Sequence, residues 1–205
     1  MQPFLEKAIE LNALKFGDFT LKSGIKSNYF FDISSFFRND SLKILSDFYV
    51  EKLINEKLEF DVIFGPAYKG IPLASAVGIS YYNKTGKTID LVFDRKETKD
   101  HGEGGNLIGK LNSKKVLIID DVLTAGTAIK NSLKIIKNEN AELSAVLVAL
   151  DREEILDDLL ARDKIFQDFN ISVTSIAKIS QLIEFLEDCE RQDEAEIIKN
   201  YLLGT

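Results

Sequence analysis

The 205-residue sequence is short of several things, and each shortage excludes a class of protein. Its longest unbroken apolar run is Ala145 to Leu150, six residues. A membrane-spanning helix takes about 20, so an integral membrane protein is excluded. The start, Met1-Gln2-Pro3-Phe4-Leu5-Glu6-Lys7, meets an acid early and has no apolar h-region, so no signal peptide is expected. The single cysteine, Cys189, cannot form an internal disulfide, which suits a reducing cytoplasm, and it reads as an incidental surface thiol. Tryptophan is absent and proline occurs three times; with 45% apolar and 29% charged residues, the composition is that of a globular protein, neither disordered nor collagenous. A basic excess is also missing, since 26 Lys and Arg face 33 Asp and Glu. That balance argues against a polyanionic nucleic-acid partner. The acidity is uneven, however. Residues 151–205 hold 14 acids and 6 bases, which leaves 20 bases against 19 acids in residues 1–150 and room there for a locally positive anion site.

What is present is an alternating pattern. Phe4, Leu5, Ala8, Ile9, Leu11 and Leu14 recur at helical spacing over residues 3–15. Phe16-Gly17-Asp18-Phe19 breaks that helix, and Phe19 to Ile33 reads as extended pieces joined at Ser23-Gly24. Asp40 or Ser41 is positioned to cap a helix running to about Lys57. Short apolar strands then alternate with helices: strand 61–64, helix 71 to about 82, strand 90–94, strand 115–119, a helix ending near Asn138, strand 142–150. Residues 153–169 and 179–202 read as helical around a strand at 171–176. Near-continuous apolar strands separated by helices signal a parallel sheet covered on both faces, one α/β domain spanning residues 1–205. Its parts are N-terminal additions (1–38), a core (39–152) and C-terminal elements (153–205).

Ligands of such sheets bind beyond the carboxyl ends of the strands, and three loops there carry unusual residues. The first is Asp120-Asp121-Val122-Leu123-Thr124-Ala125-Gly126-Thr127-Ala128, following the strand Val116 to Ile119. Two adjacent carboxylates end a buried strand, and a small-residue turn then opens a helix. Backbone N–H groups and Thr hydroxyls at a helix N-terminus seat a phosphate, while the acids can take sugar hydroxyls or hold a metal through water. A ribose-5-phosphate site is the expectation. The second loop is Phe64-Gly65-Pro66-Ala67-Tyr68-Lys69-Gly70, where Gly65 and Gly70 are expected to supply unusual backbone conformations and Lys69 a cation. The third, Arg95 to Gly109, is long and hydrophilic with four glycines (Gly102, Gly104, Gly105, Gly109) and the cations Arg95, Lys96 and Lys99. It also holds His101, the only histidine in the chain. It is expected to be a mobile cationic flap that closes over an anionic leaving group. Two rival phosphate motifs fail: Gly104 to Lys110 is followed by Leu111 where a P-loop needs Ser or Thr, and Gly86-Lys87-Thr88 has Tyr81 at its leading position. No Gly-x-Gly-x-x-Gly opens a helix after the first strand of a βαβ unit, so a Rossmann site is unsupported.

The Asp-Asp then Thr-Ala-Gly-Thr-Ala arrangement resembles the signature of the type I phosphoribosyltransferases. Arg95-Lys96-Glu97-Thr98-Lys99-Asp100-His101-Gly102-Glu103-Gly104-Gly105 resembles the catalytic flap of their orotate-specific branch. So do Phe16 to Gly24, Ser27 to Asp32, and the loop Phe64 to Pro72. The resemblance runs from about Leu14 to Arg152 and more loosely beyond. Ile25 stands where relatives commonly carry Arg, and Asn28 where many carry Pro. The resemblance implies a type I phosphoribosyltransferase fold with an N-terminal hood and a flexible catalytic flap. It implies transfer of the 5-phosphoribosyl group from phosphoribosyl pyrophosphate to orotate, in pyrimidine synthesis, with Mg²⁺. It implies Lys22, Tyr68, Lys69, Arg95, Lys96, Lys99 and His101, with Asp120 to Ala128, around phosphoribosyl pyrophosphate. Phe30, Phe31, Thr124 and Arg152 are placed toward orotate, and Lys99, His101 and Asp121 carry catalysis. Arg152 suits a carboxylate because guanidinium binds one with two parallel hydrogen bonds; its other reading is a helix-start surface arginine. The metal is implied to rest mainly on the substrate, with no direct protein ligand and a water-bridged contact at Asp120. A homodimer is implied in which the flap, residues 95–109, reaches the neighbouring subunit's site. Two other readings stay open: a phosphoribosyltransferase for another base, and a regulatory protein that senses phosphoribosyl pyrophosphate.

Overall fold

The computed structural model describes residues 2–20, 24, 26–99, 105–112 and 114–203, without the side chains of 96–99, 105 and 106. Helix α1 (Gln2–Glu10) leads into an antiparallel hairpin, β1 (Leu14–Thr20) and β2 (Lys26–Phe31), then a 3-10 turn at Ile33–Phe36 and helix α2 (Asn39–Asn55). β3 (Val62–Gly65), α3 (Gly70–Thr85), β4 (Asp90–Lys99) and β5 (Gly105–Ile108) follow. Next come β6 (Lys115–Leu123), α4 (Thr127–Asn138) and β7 (Glu142–Asp151). A short hairpin, β8 (Ile155–Leu156) and β9 (Leu159–Leu160), precedes α5 (Ala161–Phe169), β10 (Ser172–Lys178), α6 (Ile179–Asp188) and α7 (Gln192–Leu203).

The central sheet has the order β10-β7-β6-β3-β4-β5, parallel throughout except between β4 and β5. Because strand side chains alternate between faces, Ile63, Leu117, Ile119 and Leu147 join a core with α1, α2, α3, α6 and α7. Val62, Phe64, Val116, Ile118, Val146 and Val148 join a second core with α4 and α5. Both faces are therefore buried, which is why these strands read as unbroken apolar runs.

Several boundaries differ from expectation. α1 stops at Glu10 because Asn12 turns left-handed (φ 51°), and Leu14 and Phe16 reach the core from β1 instead of from a helix. Neither Asp40 nor Ser41 caps α2: Arg38 holds the cap position without a side-chain bond, and Asp40 lies in the first turn, where a carboxylate suits the helix dipole. Residues 95–99 and 105–108 form paired strand arms and not a loop, with Lys99 opposite Gly105. Residues 153–160 are not helical, since Asp157 and Asp158 both take positive φ (50° and 64°) and turn β8 into β9. The helical stretch 179–202 is two helices, parted near Glu190 (φ 59°). Cys189 is an exposed free thiol. Among the described residues, no helix is long and apolar enough to cross a membrane.

Candidate active site

From β3 the chain runs to β4 on one side of the sheet and afterwards to β6 on the other. The strand order therefore reverses between β3 and β6, and at such a point the outgoing loops diverge and leave a crevice. A cavity of about 510 Å³ opens there. Its walls include Phe30, Phe31, Tyr68, Lys69, every residue from Asp120 to Ala128, and Arg152. Residues chosen from four separated segments thus share one cleft. Arg95 is half-buried on β4 and does not line it. Lys22, Ile25 and His101 lie outside the described residues, as do the side chains of Lys96 and Lys99, although the backbone of the latter two belongs to β4.

β6 runs on through Asp120, Asp121, Val122 and Leu123, four residues past the expected end, so the acids project from a hydrogen-bonded strand. The Asp120 carbonyl accepts from the Tyr49 hydroxyl at 2.8 Å, a support reaching up from α2. Burial, then the nearby negative charges of Asp121 and Asp120, push the Tyr49 hydroxyl well above its ordinary pKa and keep it a donor. Asp120 Oδ1 accepts from the Asp121 amide at 2.9 Å. Asp121 Oδ1 accepts from the Val122 amide at 3.0 Å, and Asp121 Oδ2 accepts from Lys69 Nζ at 2.9 Å. That ion pair joins the first and second loops across the crevice. The turn then enters α4 through Gly126, whose φ of 71° is a left-handed conformation.

The second loop is held by contacts the sequence does not announce. The Ala67 amide donates to Asp94 Oδ1 midway along β4, and the Ala67–Tyr68 peptide is cis. Contrary to expectation, Gly65 and Gly70 do not supply unusual backbone angles, because neither has positive φ. They permit close approach: a Cβ on Gly65 would lie 2.4 Å from the Gly70 carbonyl oxygen, and one on Gly70 2.6 Å from Pro66 Cδ. Lys69 Nζ stands 5.8 Å from the centre of the Phe30 ring, bringing the hood's aromatic over the loop's cation.

Arg152 is neither on a helix nor at the surface. It is 2% exposed, with Nε donating to Glu154 Oε1 at 2.8 Å and Nη2 to Ser27 Oγ at 2.9 Å. The segment carrying it is pinned from outside as well. Arg162 Nη1 donates to Asp151 at 2.6 Å and to Glu153 at 3.1 Å, and Glu153 Oε2 accepts from the Ser180 amide at 3.0 Å. Asp94, Asn131, Ser132 and Val148 also line the cleft and escaped the sequence reading. Asp94 had a usable signal, an acid at the expected strand end on the ligand side; Val148 is one apolar residue in a run and had none.

Chemically, the cleft offers paired carboxylates, a hydroxyl-rich helix start, a lysine and a buried guanidinium, together suited to a phosphorylated sugar beside a second anionic group. Residues 32–177 match the phosphoribosyl transferase domain family. The chain is 46% identical over 202 residues to an orotate phosphoribosyltransferase of Aliivibrio fischeri, covering 97% of this chain and 94% of that protein. It is 47% identical over 194 residues to one of Vibrio vulnificus, covering 94% of this chain and 90% of that protein. Its fold is similar to the crystal structure of the orotate phosphoribosyltransferase of Francisella tularensis. There the TM-score is 0.82 at 38% identity, over 97% of this chain and 96% of that one.

Proposed function

Because the chain belongs to the orotate phosphoribosyltransferases, within the phosphoribosyl transferase domain family, we propose that its cleft joins orotate to the 5-phosphoribosyl group of phosphoribosyl pyrophosphate. The products are orotidine 5′-monophosphate and pyrophosphate, a step in making UMP. The observation that carries this reading is the placement of Asp120 and Asp121 beside the Thr124–Thr127 helix start, with Arg152 on the same cleft wall.

The reaction is a substitution at the anomeric carbon: a ring nitrogen of orotate forms the new C–N bond as the C–O bond to pyrophosphate breaks. Orotate's charge lies on its carboxylate, and the proton on the reacting ring nitrogen leaves to the departing pyrophosphate or to water as the C–N bond forms, so the protein's work is positioning and stabilising charge that moves onto the leaving group. The start of α4, with Thr124 and Thr127, holds the 5-phosphate, and Asp120 and Asp121 take the ribose hydroxyls. Tyr68, Lys69, Arg95, Lys96, Lys99 and His101 meet pyrophosphate, with Lys22 nearby. Phe30, Phe31, Thr124 and Arg152 surround orotate. Lys99, His101 and Asp121 carry the largest share of catalysis.

The donors lining the cleft are oxygens, from Asp94, Asp120, Asp121 and the Thr hydroxyls, a set that fits Mg²⁺. The ion is read as carried mainly by the substrate and reached through water from Asp120. When bound, Mg²⁺ neutralises charge on pyrophosphate. The chain works as one domain, residues 1–205, in a cytoplasmic homodimer whose flap, residues 95–109, serves the neighbouring site. Exposed Ile79 and Tyr82 on α3 provide an apolar face for that pairing.

The test is the loss of orotate absorbance on adding phosphoribosyl pyrophosphate and Mg²⁺, with adenine, guanine, hypoxanthine and uracil offered in competition. Orotate consumed with equimolar pyrophosphate release is the expected result. Turnover of another base instead would refute the assignment of orotate, and binding without turnover would refute the enzyme.

A further inference from the structure

We propose that Glu154 and Tyr201 are positioning residues for base recognition: together they hold the Arg152 guanidinium in the orientation that receives the carboxylate of the incoming base. The proposal rests on the reading of the cleft as an orotate site and adds to it the residues that aim its arginine.

The Glu154 carboxylate serves two donors through one oxygen. Oε1 accepts from Arg152 Nε at 2.8 Å and from the Tyr201 hydroxyl at 2.7 Å. Tyr201 comes from α7, and Ser27, the partner of Arg152 Nη2, comes from β2. Aromatic rings close the faces: the guanidinium carbon stands 4.0 Å from the centre of the Tyr29 ring and 5.3 Å from that of Tyr201. Those two rings meet edge to face at 5.3 Å and 86°. Two hydrogen bonds set the rotation of the planar group and the rings set its tilt, before any ligand arrives.

The bonds to Glu154 and Ser27 use two of the five N–H donors a guanidinium carries and the Tyr201 hydroxyl faces another, and Arg152 lines the cleft, so donors remain for a ligand. An arginine ordered in advance gives up little side-chain freedom on binding. A guanidinium 2% exposed also needs a counter-charge from the protein itself. Asp151 is committed to Arg162 and Asp121 to Lys69, which leaves Glu154 in that role. Tyr201 stops the carboxylate from swinging, so a residue of α7 acts on the base at second hand.

Steady-state kinetics of the full-length Tyr201→Phe, Glu154→Ala, Glu154→Gln and Arg152→Lys variants test this, with orotate and phosphoribosyl pyrophosphate varied separately. Tyr201→Phe is expected to raise KM for orotate roughly 3- to 10-fold while KM for phosphoribosyl pyrophosphate moves by less than about two-fold. Glu154→Ala is expected to raise KM for orotate further. Glu154→Gln, which keeps an oxygen acceptor, recovers most of that loss. The thermal midpoint of Tyr201→Phe should match the parent, separating aim from general loosening; if Glu154→Ala does not fold, Tyr201→Phe and Glu154→Gln decide the matter. Equal rises in both KM values, or none, overturn the proposal. If Arg152→Lys raises KM for orotate and the Glu154 and Tyr201 variants do not, only the positioning role is lost. If Arg152→Lys also leaves it unchanged, the base reading of the cleft falls with it.

Discussion

The cradle half of the cleft is nearly contiguous in the chain, whereas the hood half is assembled from distant places. Asp120 to Ala128 form one run from the end of β6 into α4, tied across the crevice mainly by Lys69 and from below by Tyr49. On the other side, Ser27 meets Arg152 across 125 residues and Glu154 meets Tyr201 across 47. The match to the shared family domain, residues 32–177, takes in the whole cradle and Arg152 but leaves out β2 and α7. A common sugar-phosphate chemistry thus sits on one local strand–turn–helix. Ser27 of β2 and Tyr201 of α7, which surround Arg152, lie outside that match.

Four changes break or sharpen that contrast. The largest effect is expected from Asp121→Asn in the cradle, a fall in kcat of about 10²–10³ with the fold intact, measured by initial rates beside a circular dichroism spectrum. Gly70→Ala strikes the same half through packing, since the new methyl would meet Pro66 Cδ at 2.6 Å and the Ile119 carbonyl at 3.1 Å. It should cost about 1–3 kcal/mol in denaturant unfolding and weaken phosphoribosyl pyrophosphate more than orotate. Ser27→Ala, in the hood, removes the Nη2 partner of Arg152; KM for orotate should rise about 10-fold with KM for phosphoribosyl pyrophosphate unmoved. Loss of affinity for both substrates together would show that the halves are not separable.

The smallest effect concerns acid stability at the hood's outer brace. Burial works to raise the Glu153 carboxyl, but hydrogen bonds from Ser180 and Arg162 prevail and hold it below its ordinary value of 4.5. A lowered carboxyl stabilises the fold above its unfolded value, and that contribution is lost as pH falls through the folded value. Glu153→Gln should therefore flatten the decline in unfolding midpoint below about pH 4.5 and change little at neutrality.

The cradle half was open to sequence reading because its signals are local. An apolar strand, two acids and a Thr/Gly turn lie within a dozen residues, and each residue type follows from its own backbone position. Arg152 was half legible. Its chemistry pointed to a carboxylate, but its burial depends on Ser27, Tyr29 and Tyr201, which no spacing connects to it. Glu154 and Tyr201 gave no signal for the same reason. The glycines of the second loop were found for the wrong cause, because a close approach between Gly65 and Gly70 leaves the same mark in sequence as a left-handed turn. The β8–β9 hairpin was hidden by its Asp157-Asp158 turn, which lacks the Asn-Gly or Asp-Gly pair that usually marks one.

The reversal of strand order between β3 and β6 also ties binding to the history of the chain. Val62 pairs with Val116, and the intervening 53 residues must be traversed before that join can close. Pairing across so long a loop is slow to form, and the crevice has no walls until it has formed. Affinity for the sugar phosphate is then a reporter of sheet closure. A ligand at about 100 times its Kd would add about 2.7 kcal/mol to the closed state alone. The aromatic box around Arg152 likewise has both its walls only when α7 meets β2, since Tyr201 closes one side and Tyr29 the other.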